Sequence, residues 1–279
     1  MHLPKPNPYL PENANLLPEP EEKSEHPMLL ENSKGLKLYF GQDTEFQRPK
    51  ASYNFKIYFP EKYTDLRSQT LLTLFVATIN ESMNEASYPA RLVGMDYSVT
   101  NDVEGISIAV SGYSDSVDDL LDEILSNMKN ISIPDEQFIS LRDKMIRDWN
   151  NLDLGDAYRI AREKMRKIVR KYYYTNMELA DAAENISLTD VNAYGVELLK
   201  KGYIQGLVYG NVTEEQAREN TSLLINELKI KPEKFSKIIQ QGRLDFNPGE
   251  EITIVKKSQV NNSCIWRVQY FGHNSIEED

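Results

Sequence analysis

The sequence is poor in the residues that most often carry catalysis or covalent cross-links. It holds a single cysteine, Cys264, so it can form no internal disulfide, a usage typical of reducing compartments. Its three histidines, His2, His26 and His273, are too far apart in sequence to share one helical face. Because a catalytic zinc takes about three protein ligands, the sequence predicts neither a metal site nor catalytic residues of its own. Nucleophile elbows, P-loops and dinucleotide fingerprints are absent as well.

Long apolar runs and an excess of positive charge are also missing. No stretch of about 18 apolar residues predicts a transmembrane helix, and the N-terminus lacks the basic segment and apolar core of a signal peptide. The net charge is −11, from 32 Lys and Arg against 43 Asp and Glu. Nucleic acid and anionic membranes would repel such a chain. We therefore expect no nucleic-acid or membrane partner and a cytoplasmic location.

Prolines, by contrast, are concentrated in residues 3–27. Each one removes a backbone donor and restricts the residue before it, so this stretch is neither helix nor central strand. It is either a disordered tail or an extended connector that Leu10, Leu16 and Leu17 pin along a domain surface. We interpret residues 1–34 as such a connector.

Strand and helix patterns alternate through residues 35–245. Apolar residues recur at every second position over 53–59, the period of a half-buried strand. They recur at every third or fourth position over 71–83 and 117–128, the period of an amphipathic helix. A hairpin is predicted between residues 96 and 113. This mixture predicts an α+β domain in which helices cover mainly one face of an antiparallel or mixed sheet.

A basic segment interrupts this otherwise acidic chain between residues 156 and 174. One interpretation is a patch that attracts acidic peptides or polyanions. The other is the solvated face of a helix, stabilised by neighbouring opposite charges. Its basic residues are Arg159, Arg162, Lys164, Arg166, Lys167, Arg170 and Lys171.

Residues 84–97 carry the most informative motif of the chain. They end a predicted helix at Gly94, and a glycine-tyrosine pair at 112–113 closes the hairpin that follows. This order resembles the middle of the insulinase (insulysin, pitrilysin) family of zinc peptidases. The proline-rich opening at 3–11 and the turn at 210–213 resemble the same family. Its members cleave peptides with an inverted zinc motif, H-x-x-E-H, which this sequence lacks.

The resemblance implies a fold and an enzyme with a catalytic half and a non-catalytic half. The fold is the metallohydrolase domain of the mitochondrial processing peptidase type. Residues 35–245 correspond to the middle domain of the second half, and residues 246–279 to the first strands of a truncated final domain. The zinc and the catalytic residues belong to an absent N-terminal half. The implied partners are that catalytic half and a peptide substrate.

The implied function is that of a non-catalytic wall of the chamber in which a zinc metalloendopeptidase degrades peptides. This chain alone is then expected to be inactive. The alternative is a free-standing peptide- or protein-binding module, an inactive paralogue of such enzymes. An upstream reading frame that encodes H-x-x-E-H would favour the first interpretation.

Tyr88 is the candidate substrate-binding residue. The resemblance places it beside an anchoring surface inside a closed chamber, remote from the zinc. An aromatic side chain with a polar hydroxyl can bind a peptide through both apolar contact and a hydrogen bond. The alternative is that Tyr88 only packs at a helix terminus. The sequence departs from the family pattern at Pro89, Arg91 and Val93, and Pro89 stiffens the chain next to the candidate.

Residues 251–256 and 264–271 are predicted to form two strands, which resemble the first hairpin of the family's final domain. Two strands alone are marginally stable in water. We therefore expect them to dock on the first domain, to pair with a second copy in a homodimer, or to stay disordered.

Overall fold

The computed structural model describes residues 6–20, 24, 26–234, 241–242, 244, 246–247, 249–257 and 262–268. The chain divides into two compact units. The first combines Met1–Arg142 with Asn185–Gln240, and the second combines Asp143–Glu184 with Gln241–Asp279. The domain ranges inferred from the resemblance, 1–34, 35–245 and 246–279, stay predictions.

The regular elements alternate along the chain. The strands are β1 (Met28–Ser33), β2 (Leu36–Gln42), β3 (Lys50–Tyr58), β4 (Asp96–Asp102), β5 (Gly105–Tyr113), β6 (Lys201–Gly210) and β7 (Lys231–Pro232). The helices are α1 (Leu66–Leu92), α2 (Val117–Lys129), α3 (Asp135–Asn150), α4 (Ala157–Val169), α5 (Asn176–Ala183), α6 (Leu188–Leu198) and α7 (Glu214–Glu227). Short 3₁₀ turns span Glu61–Tyr63 and Asn151–Leu154.

The strands of the first unit form one mixed sheet. Its order is β1-β2-β6-β3-β5-β4, and β7 pairs with β6 outside this path. The β2–β6 and β6–β7 pairs are parallel, whereas the other pairs are antiparallel. The α+β fold with a mixed sheet that the sequence predicts is therefore confirmed.

One face of this sheet is covered by helices. Every second residue of β3 is buried, from Ala51 through Tyr53 and Phe55 to Ile57. The predicted stripe of α2, from Val117 to Met128, is buried as well. Helices α1, α2 and α7 contact strands of the sheet, and α6 contacts α1. Apolar periodicity thus predicted correctly which side chains form this core.

A buried polar network joins the helix layer to the sheet. Tyr53 Oη donates to Asp118 Oδ1 at 2.6 Å, and Asn220 Nδ2 donates to the same oxygen at 3.0 Å. Burial, and then the negative charge of Asp118, strongly raises the pKa of Tyr53. The phenol therefore stays protonated and keeps donating. The network fixes β3, α2 and α7 against one another.

Two glycines are required by local geometry. Gly94 has φ +74°, a left-handed conformation that ends α1 and turns the chain into β4. Gly105 has no room for a side chain, because a Cβ atom there would lie 1.9 Å from the carbonyl oxygen of Ile57. Glycine is therefore required at the end of α1 and at the start of β5.

Side chains of the helices satisfy backbone groups on both edge strands. Asn80 Nδ2 of α1 donates to the carbonyl oxygen of Val99 in β4 at 2.9 Å. Arg218 Nη2 of α7 donates to the carbonyl oxygen of Leu30 in β1 at 3.1 Å. Such contacts reduce the tendency of an open edge to pair with another chain.

The predicted strands beyond residue 250 are not formed in the part of the chain that the structure describes. Residues 249–257 and 262–268 carry no strand there, and most of their side chains are exposed. The prediction is wrong for these residues because alternating apolar side chains make a strand only when a neighbouring strand or helix covers one face. Residues 269–271 lie outside the described residues. Homodimerisation through this segment stays a prediction.

Candidate functional site

The face of the sheet opposite the helices has a distinct composition. Its central positions are small or polar, and tyrosines stand around them. We call this surface the outer face. Its members are the half-exposed or exposed residues Lys37, Tyr39, Ser52, Asn54, Lys56, Tyr58, Ser98, Thr100, Ser107, Ala109, Ser111, Tyr113, Tyr203, Gln205, Leu207 and Tyr209.

Strand register defines the middle of the outer face. Asn54 of β3 lies opposite Ala109 of β5 on one side and Leu207 of β6 on the other. Ser98 of β4 continues the same row, since it lies opposite Ala109. These side chains are short apart from Leu207, so they leave a shallow floor. An extended peptide can approach such a floor closely and find hydrogen-bonding groups there.

Tyrosines border this floor along the strands. Tyr58 and Tyr203 lie opposite each other on β3 and β6, with ring centroids 6.0 Å apart. Tyr58 Oη also donates to Gln205 Oε1 at 2.9 Å, which fixes its ring. Tyr39 carries the Lys37 ammonium 5.1 Å from its ring centroid. Rings with polar tips offer both apolar contact and hydrogen bonds to a peptide.

The charge on Lys56 of the outer face is balanced locally. Its Nζ donates to Glu104 Oε2 at 3.0 Å and also to Asp102. Burial disfavours the charged form of Lys56, but the hydrogen bonds to the two carboxylates raise its pKa overall. The lysine therefore stays charged and paired, and it adds no net attraction for an acidic ligand.

Tyr88 lies elsewhere, near the end of α1. Its side chain is 63% exposed, and Leu92, one turn later, is 65% exposed. Ser87 and Ala90 are buried on the other side of the same turns. The structure does not bring Tyr88 into the outer face, because α1 belongs to the helix layer. The substrate-binding role of Tyr88 stays a prediction.

The N-terminal connector passes next to this end of α1. Asn7 Nδ2 donates to the carbonyl oxygen of Pro89 at 2.8 Å. Tyr9 is buried, and its pKa is raised by that burial and then by the charges of Glu123 and Asp119 on α2. The connector is therefore held close to α1 and α2.

Side-chain caps hold the connector further along. Asp115 Oδ2 accepts from the backbone N–H groups of Glu12 and Asn13 at 2.7 and 3.0 Å. Asn211 Oδ1 accepts from the N–H of Leu17 at 2.8 Å. These contacts show that residues 6–20 follow the surface of the unit.

The side chains expected to pin the connector do not all do so. Leu10 is 55% exposed and Leu16 is 47% exposed, so neither is an anchor. The prediction was wrong for these two because an extended chain turns successive side chains in different directions. Tyr9 and the backbone caps provide the attachment instead.

The metal-binding side chains that the structure describes do not fit a catalytic zinc. Among the residues that the structure describes, no group of three His, Cys, Asp or Glu side chains could hold a metal ion. His26 is exposed on the chain leading into β1, and the sequence contains no H-x-x-E-H motif.

Among the helices that the structure describes, none is long and apolar enough to span a bilayer.

The sequence interpretation missed the outer face as a candidate site. Its signal was available, since tyrosines occupy the positions that alternate with buried residues in β2, β5 and β6. What the sequence could not supply was the strand order. Tyr58 and Tyr203 are neighbours only because β6 pairs with β3, and Tyr39 joins the same face only because β6 also pairs with β2.

Comparisons with known proteins point to a single family. A family model described as the middle or third domain of peptidase M16 matches residues 1–182. Human insulin-degrading enzyme is 27% identical over 274 residues, which cover 96% of this chain and 27% of that enzyme. The chain thus spans little more than a quarter of the length of this curated relative.

Solved structures show the same fold. The crystal structure of pitrilysin matches with a TM-score of 0.75 and 22% identity, covering 82% of this chain and 24% of pitrilysin. A peptidase M16 inactive domain from Pseudomonas fluorescens matches with a TM-score of 0.58 and 11% identity, covering 78% of this chain and 54% of that one. Since the family model covers well over half of the chain, the protein belongs to the peptidase M16 family, the insulinase-like metallopeptidases, and carries its middle domain.

Proposed function

We propose that this chain supplies a non-catalytic wall of the substrate chamber in an insulinase-like zinc metalloendopeptidase that degrades peptides. The observation that carries the proposal is the outer face, a small-residue floor bordered by tyrosines on a rigid sheet. Helices bury the opposite side of the same strands, whereas the side chains of the outer face are half-exposed or exposed. The outer face is therefore available to contact a peptide along its length.

The proposal assigns hydrolysis to a partner. A catalytic half with the H-x-x-E-H motif would bind the zinc, because the sequence of this chain lacks that motif and its described residues contain no group of three metal ligands. The middle domain then selects peptides by contact while the partner cleaves them. Tyr88 and Leu92 add an exposed aromatic and aliphatic pair, one helical turn apart, as a second point of contact for peptide.

A titration monitored by NMR tests this proposal. The isotope-labelled chain is titrated with isolated insulin B chain, chosen because human insulin-degrading enzyme is a relative. We expect the amide signals of Asn54, Ala109 and Ser98 to shift, while those of α7 stay unchanged. Shifts confined to the helix layer, or no shift at all, would contradict the proposal.

A matched pair of variants sharpens the test. Asn54→Glu places a longer, charged side chain in the middle of the outer face, and Ser222→Glu places one on the exposed side of α7. We expect about tenfold weaker peptide binding for the first, equivalent to about 1.4 kcal/mol, and an unchanged affinity for the second. Equal effects would show that the outer face has no special role.

The free-standing binding module is the second candidate. The P. fluorescens neighbour, described as an inactive domain, is the observation that favours it. Such a module would bind the same peptide but would not restore hydrolysis when joined to a catalytic half.

A further inference from the structure

Helix α4 carries arginines along one side. Arg159, Arg162 and Arg166 recur at intervals of three and four residues, and Arg170 follows four residues later at the C-terminal cap. At 3.6 residues per turn these positions align in one row, about 16 Å long at 1.5 Å per residue. We call these four residues the arginine stripe.

The carboxylates close to the arginine stripe already have partners. Glu163 is 6% exposed, accepts from the backbone N–H of Asn176 at 2.7 Å, and lies 3.6 Å from Lys164 Nζ. Glu178 accepts from Lys167 Nζ at 2.8 Å and caps the start of α5. Glu163 and Glu178 therefore neutralise lysines and cap a helix terminus, and Asp156 is the acidic side chain whose charge acts on Arg159.

The arginines instead contact tyrosines. The Cζ atoms of Arg159 and Arg162 each lie 5.9 Å from the ring centroid of Tyr158, and that of Arg170 lies 5.9 Å from the ring centroid of Tyr173. Within the described part of the chain, no carboxylate makes an ion pair with the arginine stripe. A guanidinium group beside a ring keeps N–H donors free for a ligand.

The local charge is opposite to that of the whole chain. Residues 156–174 contain seven basic side chains, Arg159, Arg162, Lys164, Arg166, Lys167, Arg170 and Lys171, against two acidic ones, Asp156 and Glu163. The chain as a whole has a net charge of −11. An acidic ligand is therefore attracted at this helix and repelled by most of the remaining surface.

We propose that the arginine stripe docks a short acidic segment of a partner peptide or protein through its carboxylates. The planar fork of a guanidinium matches a carboxylate in a bidentate geometry. A row about 16 Å long matches about five residues of extended chain at 3.3 Å each. A short segment is favoured over nucleic acid, because the net charge of −11 on the whole chain repels a long and densely charged polyanion. The site lies in the second unit and does not depend on the peptide surface proposed for the first.

Fluorescence anisotropy with labelled hexaglutamate tests the inference on the full chain. We expect saturable binding that weakens with added salt, and no binding of labelled hexaglutamine. Arg162→Gln/Arg166→Gln should weaken hexaglutamate binding about tenfold. Lys34→Gln/Lys62→Gln, which removes the same charge from exposed positions of the first unit, should change it less than about twofold.

Three outcomes would overturn the inference. One is equal weakening by both double variants, which would show a general charge effect. Another is equal binding of hexaglutamine. The third is tighter binding of a single-stranded hexanucleotide than of hexaglutamate, which would show phosphate recognition. If the glutamine variant loses helix content by circular dichroism, Arg162→Lys/Arg166→Lys decides the matter. Weaker binding by that variant supports the fork geometry, and unchanged binding contradicts it.

Discussion

Replacement of Leu121 by alanine tests the core on which the outer face depends. Leu121 is fully buried on α2, the helix that packs on β5 and contacts α1 and α7. Removing three carbon groups from this site costs about 2.4 kcal/mol in transfer free energy at about 0.8 kcal/mol per group. The cavity left between close-packed elements adds a further term, so the expected total is about 2–5 kcal/mol.

Hydrogen exchange of β3 measures this loss within the first unit. A loss of about 3 kcal/mol raises the population of the open state roughly a hundredfold, so the slowest β3 amides should exchange faster by that factor. Leu92→Ala is the matched control, since the same atoms are removed from a side chain that is 65% exposed. A Leu121→Ala loss under about 0.5 kcal/mol, or a loss equal to that of the control, would refute the packing argument.

Three further predictions concern the metal, the second unit and the C-terminal segment. The purified chain should hold no stoichiometric zinc and cleave no fluorogenic peptide, and chelator-sensitive turnover that copurifies with it would contradict this. Although burial opposes its charge, hydrogen bonds from Lys167 and Thr175 lower the pKa of Glu178 below its usual 4.5. The contribution of Glu178 to folding stability is therefore present above about pH 4.5 and is lost as the pH falls through the lowered pKa. Glu178→Gln should lower the stability of the second unit at neutral pH but not in strong acid, as measured by unfolding followed by tryptophan fluorescence. Removal of residues 246–279 should leave the first unit folded by circular dichroism and abolish any dimer seen in sedimentation, and failure to fold would contradict it.

Periodicity predicted the parts of the fold whose side chains face one common core. The alternation from Tyr53 to Phe59 and the stripe from Val117 to Met128 both describe burial on one side of an element. Such patterns are local in sequence, so they can be recognised without knowing the tertiary structure. They also predicted that helices cover mainly one face of the sheet.

Features that depend on distant partners were not predictable in the same way. Asp115 and Asn211 hold the connector through bonds to backbone groups about a hundred or more residues away, and such bonds leave no periodic signal. The strands expected after residue 250 had the right alternation, but the described residues of that segment pair with no strand. The sequence showed the arginine stripe only as part of a basic segment. It could not show that Glu163 and Glu178 pair with the neighbouring lysines.

A chimaera tests the central proposal most directly. The segment of human insulin-degrading enzyme that aligns with this chain is replaced by the chain itself, and hydrolysis of insulin B chain is measured on the folded product. If this chain is a chamber wall, the chimaera should show chelator-sensitive hydrolysis that falls several-fold with Asn54→Glu and is unchanged with Ser222→Glu. A folded chimaera that cleaves equally well with either substitution, or does not cleave at all, would contradict the proposal.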